Sequence, residues 1–150
     1  MAPTQRLSAH FTLAEMTHSA TAARKGIANV ITPEVERQLF LTADRMEGVR
    51  ALLGDKPISV LSGYRSEAVN KAVGGSKTSA HRTGHAVDFI CPSFGTPAQV
   101  ARYLAVHLKS YDQIIEEFDQ WVHIGFGPGA RRQYLKARKL AGRTVYSGIG

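Results

Sequence analysis

Three short stretches of the chain concentrate side chains able to bind a metal ion: Ser79-Ala-His81, Gly84-His-Ala-Val-Asp88 and Trp121-Val-His123. Imidazole nitrogen and carboxylate oxygen suit zinc, and a catalytic zinc takes three protein ligands and keeps its fourth position for water. His81, Asp88 and His123 would make such a His-Asp-His set. Water on that metal loses a proton near pH ~7, which provides a nucleophile for a peptide carbonyl that the metal also polarises. Spacing alone leaves a second reading open, in which two unrelated histidines and a surface aspartate share no ligand.

In their order along the chain, SGYRS (62–66), SAHRTGHAVDF (79–89) and WVHIGF (121–126) resemble the zinc D-alanyl-D-alanine carboxypeptidase and L-alanyl-D-glutamate peptidase family. That family shares its fold with lysostaphin-type endopeptidases and the hedgehog signalling domain, and its short phage and prophage cell-wall peptidases look most similar. The specific part of the resemblance runs over 62–88 and 112–126, whereas the N-terminal region and the last twenty residues match more loosely. The motif SxHxxGxAxD falls on Ser79, His81, Gly84, Ala86 and Asp88, so the resemblance implies that His81 and Asp88 are zinc ligands, with His123 of WxH as the third. It implies an arginine for a substrate carboxylate at Arg65, a role that the rigid guanidinium fork suits. Ser79 would bond the bound peptide or its oxyanion. Trp121 stands where lysostaphin-type relatives carry another histidine, so it would wall the cleft.

Hydrolysis also needs a proton shuttle, and the family places a carboxylate for it shortly before the final histidine. Three positions before His123 this chain has Gln120, and an amide is no base. Glu116, Glu117 and Asp119 remain. A hairpin that pairs Phe118 with Val122 around a three-residue loop sets Glu117 across from His123 on one face, and a two-residue turn would favour Glu116. Glu117 is the first choice; a solvated acidic hairpin end is the plain alternative for all three.

The elements that must position these groups are legible in part. Thr32 caps a helix that begins at Pro33, and Val35, Leu39, Ala43, Met46, Val49 and Leu53 recur at steps of three to four until Gly54. Pro57–Leu61 reads as a buried strand entering the SGYRS loop, Ser66 caps a short helix to Val73, and Gly74-Gly75 stops it. A polar loop then leads to a strand over 85–90, a helix begins at Thr96-Pro97, and 112–118 with 121–126 form a hairpin. A short helix near Thr12 to Met16 lies in the lead-in. The expected fold is α+β, a small central antiparallel sheet flanked by helices, with 1–150 as a single catalytic domain.

Composition bounds the rest. The 150 residues, 43% hydrophobic and 21% charged, are those of one globular domain. No run approaches the roughly 20 apolar residues of a membrane span, and no leader is expected at the N-terminus. Cys91 is the single cysteine and reads as a small buried group. The net charge of +7 favours anionic partners, here teichoic acid, lipopolysaccharide or carboxylate-bearing peptides, and the basic residues lack a recognised nucleic-acid motif. Arg131, Arg132, Lys136, Arg138, Lys139 and Arg143 form an acid-free tail that reads most simply as a solvated terminus. His10, His18 and His107 have no partner motif, and strand alternation turns His85 away from Asp88.

Together with the resemblance, these residues imply a monomeric zinc metallopeptidase of peptidoglycan stem peptides, made in the host cytoplasm and acting on the wall after release. An L-alanyl-D-glutamate endopeptidase of endolysin type is the leading expectation. D-alanyl-D-alanine carboxypeptidase is the alternative within the family, and a non-catalytic zinc-containing wall-binding or phage structural module is the alternative outside catalysis.

Overall fold

The computed structural model describes residues 5–148. The fold is α+β, as expected, with a six-stranded sheet ordered β1-β2-β4-β3-β5-β6 and flanked by helices. Its strands are β1 (Ser59–Ser62), β2 (Ala86–Ile90), β3 (Gln113–Glu117), β4 (Trp121–Gly125), β5 (Gln133–Leu140) and β6 (Arg143–Gly148). The helices are α1 (Leu13–Thr17), α2 (Ala20–Lys25), α3 (Pro33–Leu52), α4 (Glu67–Ala72) and α5 (Pro97–His107), and a 3-10 turn covers Ala80–Thr83. Contacts group the chain into two compact units, one running to Glu47 and including Val60–Val87, the other comprising Gly48–Ser59 and the chain from Asp88 onward.

The first unit is built on helix caps and a shared apolar stripe. Thr12 and Glu15 close a capping box on α1, and Thr32 Oγ1 accepts from Val35 N at 3.2 Å to start α3. The stripe read from the sequence is the buried face of α3, with Leu39, Ala43 and Met46 fully enclosed, and Val49 and Leu53 equally enclosed in the second unit. Thr42, on the same helix and also fully enclosed, donates to the Gly84 carbonyl at 2.6 Å. Gly84 has φ +80, and a Cβ there would meet Leu39 Cδ2 at 3.3 Å. Glycine therefore answers both a left-handed backbone and a close helix. Gly63 answers a tighter approach, since its added Cβ would lie 2.4 Å from the Met16 carbonyl oxygen, to which Tyr64 N donates at 2.7 Å.

Two sequence expectations for this region change, and one helix is added to them. The run before the SGYRS loop is an edge strand instead of a buried one: β1 ends the sheet, and Leu61 is 45% exposed. The polar stretch around His81 is ordered into a 3-10 turn, capped by Ser79 at its start and closed by left-handed Gly84. Helix α2 was not legible, because its six residues are too few to show a period, although its Ser19 cap and left-handed Gly26 close it in the usual way.

In the second unit β3 and β4 form the expected hairpin, β5 lies parallel to β3, and β6 returns antiparallel to β5. The parallel β3–β5 pairing makes the sheet mixed, where an antiparallel one was expected. The reason is the exit point: Gly125, at the end of β4, lies opposite Gln113, the first residue of β3, so a link that brings Gln133 beside Gln113 sends β5 the same way as β3. Asp112 holds that link. It accepts from Arg131 N at 3.1 Å and from the Arg131 guanidinium at 2.9 and 3.0 Å, and a Cβ on Gly127 or Gly129 would press against its carboxylate. The basic tail is therefore a strand pair and no loose terminus.

Gly63→Ala is expected to cost about 1–3 kcal/mol through overpacking against the Met16 backbone, measured as a lowered urea midpoint at unchanged m-value. An unchanged midpoint would show that the Met16 segment yields.

Candidate active site

His81 sits in the 3-10 turn with its side chain enclosed, and the turn is tied to the SGYRS loop at two points. Its ring Nδ1 lies 2.7 Å from the Gly63 carbonyl oxygen, and its own carbonyl accepts from Arg65 N at 3.0 Å. A carbonyl only accepts, so Nδ1 carries the proton and Nε2 is the nitrogen that His81 would offer a metal. Ser79 Oγ accepts from His81 N at 3.3 Å and so positions the turn directly.

Asp88 projects from β2, a strand with four enclosed residues, and His123 from β4. His123 Nδ1 lies 2.9 Å from Asp88 Oδ1, and both side chains are about nine-tenths buried. Among the described residues His81, Asp88 and His123 form the group able to hold a metal ion, their ligand atoms all within 4.8 Å of one another. Two imidazoles and a carboxylate, enclosed and with one tautomer fixed by a backbone carbonyl, are a donor set that fits a divalent transition ion.

The hairpin register selects the neighbouring acid. The loop has three residues, 118–120, but Glu117 pairs with Trp121 and His123 pairs with Ile115, two residues from the pairing expected from sequence. A slip of two preserves side-chain parity, so Glu117 still shares a face with His123. Glu117 Oε1 lies 4.0 Å from His123 Nδ1, and the Trp121 indole Nε1 donates to that same oxygen at 3.0 Å. Trp121 also packs edge-on against Phe118, with ring centroids 5.6 Å apart. Phe118 and Asp119 both take left-handed φ, near +58 and +59, which closes the turn.

Glu116 points to the opposite face. It is enclosed there and binds Lys136 Nζ at 2.5 Å, while its other oxygen accepts from Asp119 N at 2.8 Å. The hydrogen bonds that Lys136 donates to Glu116 and then Asp119 hold its ammonium above its ordinary range, and Lys136 in turn holds Asp119 below the carboxylate range. Asp119 faces solvent in this pair. Neither residue is placed as a base beside His123.

The other candidates sort as their surroundings dictate. His10 pairs with Glu47 at 2.7 Å, His107 stacks on Tyr103 with ring centroids 4.2 Å apart, and His85 bonds the Thr83 hydroxyl at 2.7 Å. Cys91 is enclosed, and burial pushes its thiol up, so it is no ready nucleophile.

The family model for peptidase M15 matches residues 9–125. The chain belongs to the peptidase M15 family. Within this M15 chain, 95 residues are 35% identical to the zinc D-Ala-D-Ala carboxypeptidase of Streptomyces albus G. That stretch is 62% of this chain and 36% of the relative, so the M15 chain spans about a third of the relative's length.

Replacing Lys136 by Met should cost about 1–3 kcal/mol, because Glu116 would stay enclosed without its cation. Chemical denaturation measures the loss, and an unchanged midpoint would mean that Glu116 finds another donor.

Proposed function

We propose that this M15 chain is a zinc-dependent peptidase that hydrolyses an amide bond in the peptidoglycan stem peptide. The observation that carries this reading is the grouping of His81, Asp88 and His123 with Glu117 on the hairpin face that bears His123. Zinc held by these three ligands would supply Lewis acidity, polarising the scissile carbonyl and activating water near neutral pH. Glu117 takes the proton of the attacking water and returns it to the leaving amine. The Trp121 indole anchors one Glu117 oxygen, which fixes the carboxylate's aim while the second oxygen serves the proton. Arg65 offers its guanidinium to a substrate carboxylate, and the two hydrogen bonds between its loop and the His81 turn keep that fork in register with the turn. Ser79 donates its hydroxyl proton to the bound peptide while its oxygen caps the turn.

For the bond itself, cleavage between two D-alanines is supported by the name of the 35% identical relative. The L-alanyl-D-glutamate bond, cut by a phage or prophage lysis enzyme after release to the wall, is supported by the likeness of SGYRS, SAHRTGHAVDF and WVHIGF to short cell-wall peptidases of that kind. Exposed Arg138, Lys139 and Arg143 at the β5–β6 turn would hold either enzyme near anionic wall polymers in a salt-dependent way.

Purified peptidoglycan digested with zinc-loaded protein, beside a chelated control, should yield new end groups by mass spectrometry. Released D-alanine identifies the carboxypeptidase, and new L-alanine carboxyl with D-glutamate amino ends identify the endopeptidase. No chelator-sensitive product across several wall types would favour a binding module instead. A second prediction concerns the roles: Ala at His81, Asp88 or His123 should lose bound zinc and activity together, whereas Glu117→Gln should keep zinc and lose about 10²–10⁴ in kcat. Full activity in the His123 variant would refute the ligand set.

A further inference from the structure

The C-terminal strands lie beyond the residues that match the family model, yet they share the sheet row of the proposed base. Trp121 pairs with Glu117, Glu117 with Ala137, and Ala137 with Tyr146, so four residues on β4, β3, β5 and β6 stand side by side. Paired residues on adjacent strands project to one face. Tyr146 therefore stands on the face that carries Glu117 and His123. Between them is Ala137, whose methyl is fully enclosed, and a side chain this small leaves a lane along which a phenol can lie toward Glu117. The Tyr146 ring is neither packed away nor free: the residue is 53% exposed.

We propose that Tyr146 is a substrate-contacting residue whose phenol donates a hydrogen bond to a peptide carbonyl oxygen held beside Glu117. This deepens the peptidase reading and rests on it. The electrostatic surroundings agree with a donor role, since burial first, then the Glu117 and Asp88 carboxylates, push the phenol above its ordinary range and keep it protonated at neutral pH. A protonated phenol near two carboxylates is one of the few groups there that can donate to a carbonyl without adding charge. The remainder of β6 fits a strand that presents one side chain to a cleft. Thr144 Oγ1 accepts from Lys139 Nζ at 3.0 Å across the pair, and Lys139 covers the Phe118 ring at 5.4 Å, which ties the tip of this hairpin to the loop that follows Glu117.

The test uses the full chain loaded with zinc, with Tyr146→Phe and Tyr146→Ala beside wild type. Zinc content and unfolding midpoint are measured first, then kcat and KM for the peptide bond identified in the digest, then affinity for a phosphinate analogue of that bond by calorimetry. The Phe variant keeps ring and packing and loses only the hydroxyl. It should retain zinc and stability while losing about tenfold to a hundredfold in kcat/KM and in phosphinate affinity, the scale of one hydrogen bond to a charged or charge-developing oxygen. Wild-type kinetics and wild-type phosphinate affinity in the Phe variant would overturn the donor role, and a loss seen only in the Ala variant would make Tyr146 a wall and overturn it as well. A wild-type protein that binds zinc yet neither cleaves wall peptides nor binds the phosphinate would instead overturn the peptidase reading, and with it this role.

Discussion

Side-chain parity along the β3–β4 hairpin is the constraint on which the proposed chemistry depends. Successive residues of a strand face opposite sides, so of two adjacent glutamates only one can share a face with His123. The three-residue loop with two left-handed positions fixes that choice for Glu117. A slip of one residue would exchange the two acids, placing Glu116 beside His123 and leaving Glu117 to meet Lys136. Because Glu116 is enclosed and bound by an ammonium and a backbone N–H, the exchange would bury a different carboxylate against the same cation and would swap the faces of the enclosed Ile114 and Ile115. The pairing with Lys136 on β5 thus guards the register from the far face of the sheet.

A second layer of control comes from backbone carbonyls. His81 owes its ring orientation to Gly63, and the Gly84 that closes its turn is held by Thr42 of α3. Both glycines are also places where a larger residue would meet a neighbour, Met16 in one case and Leu39 in the other. The long helix α3 therefore does more than fill the core. Its buried stripe and its one enclosed hydroxyl set the height of the turn that carries a proposed ligand.

The distribution of charge follows the same economy. Of the basic residues in the C-terminal tail, Arg131 is committed to Asp112, which pushes its guanidinium further above its ordinary range, Lys136 is committed to Glu116 and Asp119, and the Arg132 guanidinium bonds the Leu108 carbonyl at 2.8 Å. These bonds hold the β4–β5 link and the hairpin loop in place. Arg138, Lys139 and Arg143 lie exposed at the β5–β6 turn, so they add a cluster of surface charge at that tip to the exposed but bonded Arg131 and Arg132.

How much of this was legible depended on the range of the signal. The stripe of α3, the caps at Thr12, Thr32, Ser66 and Thr96, and the SxHxxGxAxD spacing are local patterns, each fixed by residues within a few turns of chain, and the structure realises them. The strand pair of the tail was not legible, because its residues alternate weakly and its partner, β3, lies some twenty residues earlier; only the link clamped by Asp112 brings them together. The edge position of β1 was hidden for the same reason, since order within a sheet is a property of the whole set of strands. The sequence by itself determined which side chains have the chemistry for metal and proton, through their types and spacing. Which glutamate shares the face of His123, which nitrogen of His81 carries its proton, and which tyrosine stands in that row were decided only by tertiary structure, because each depends on strand register and backbone carbonyls supplied by segments distant along the chain.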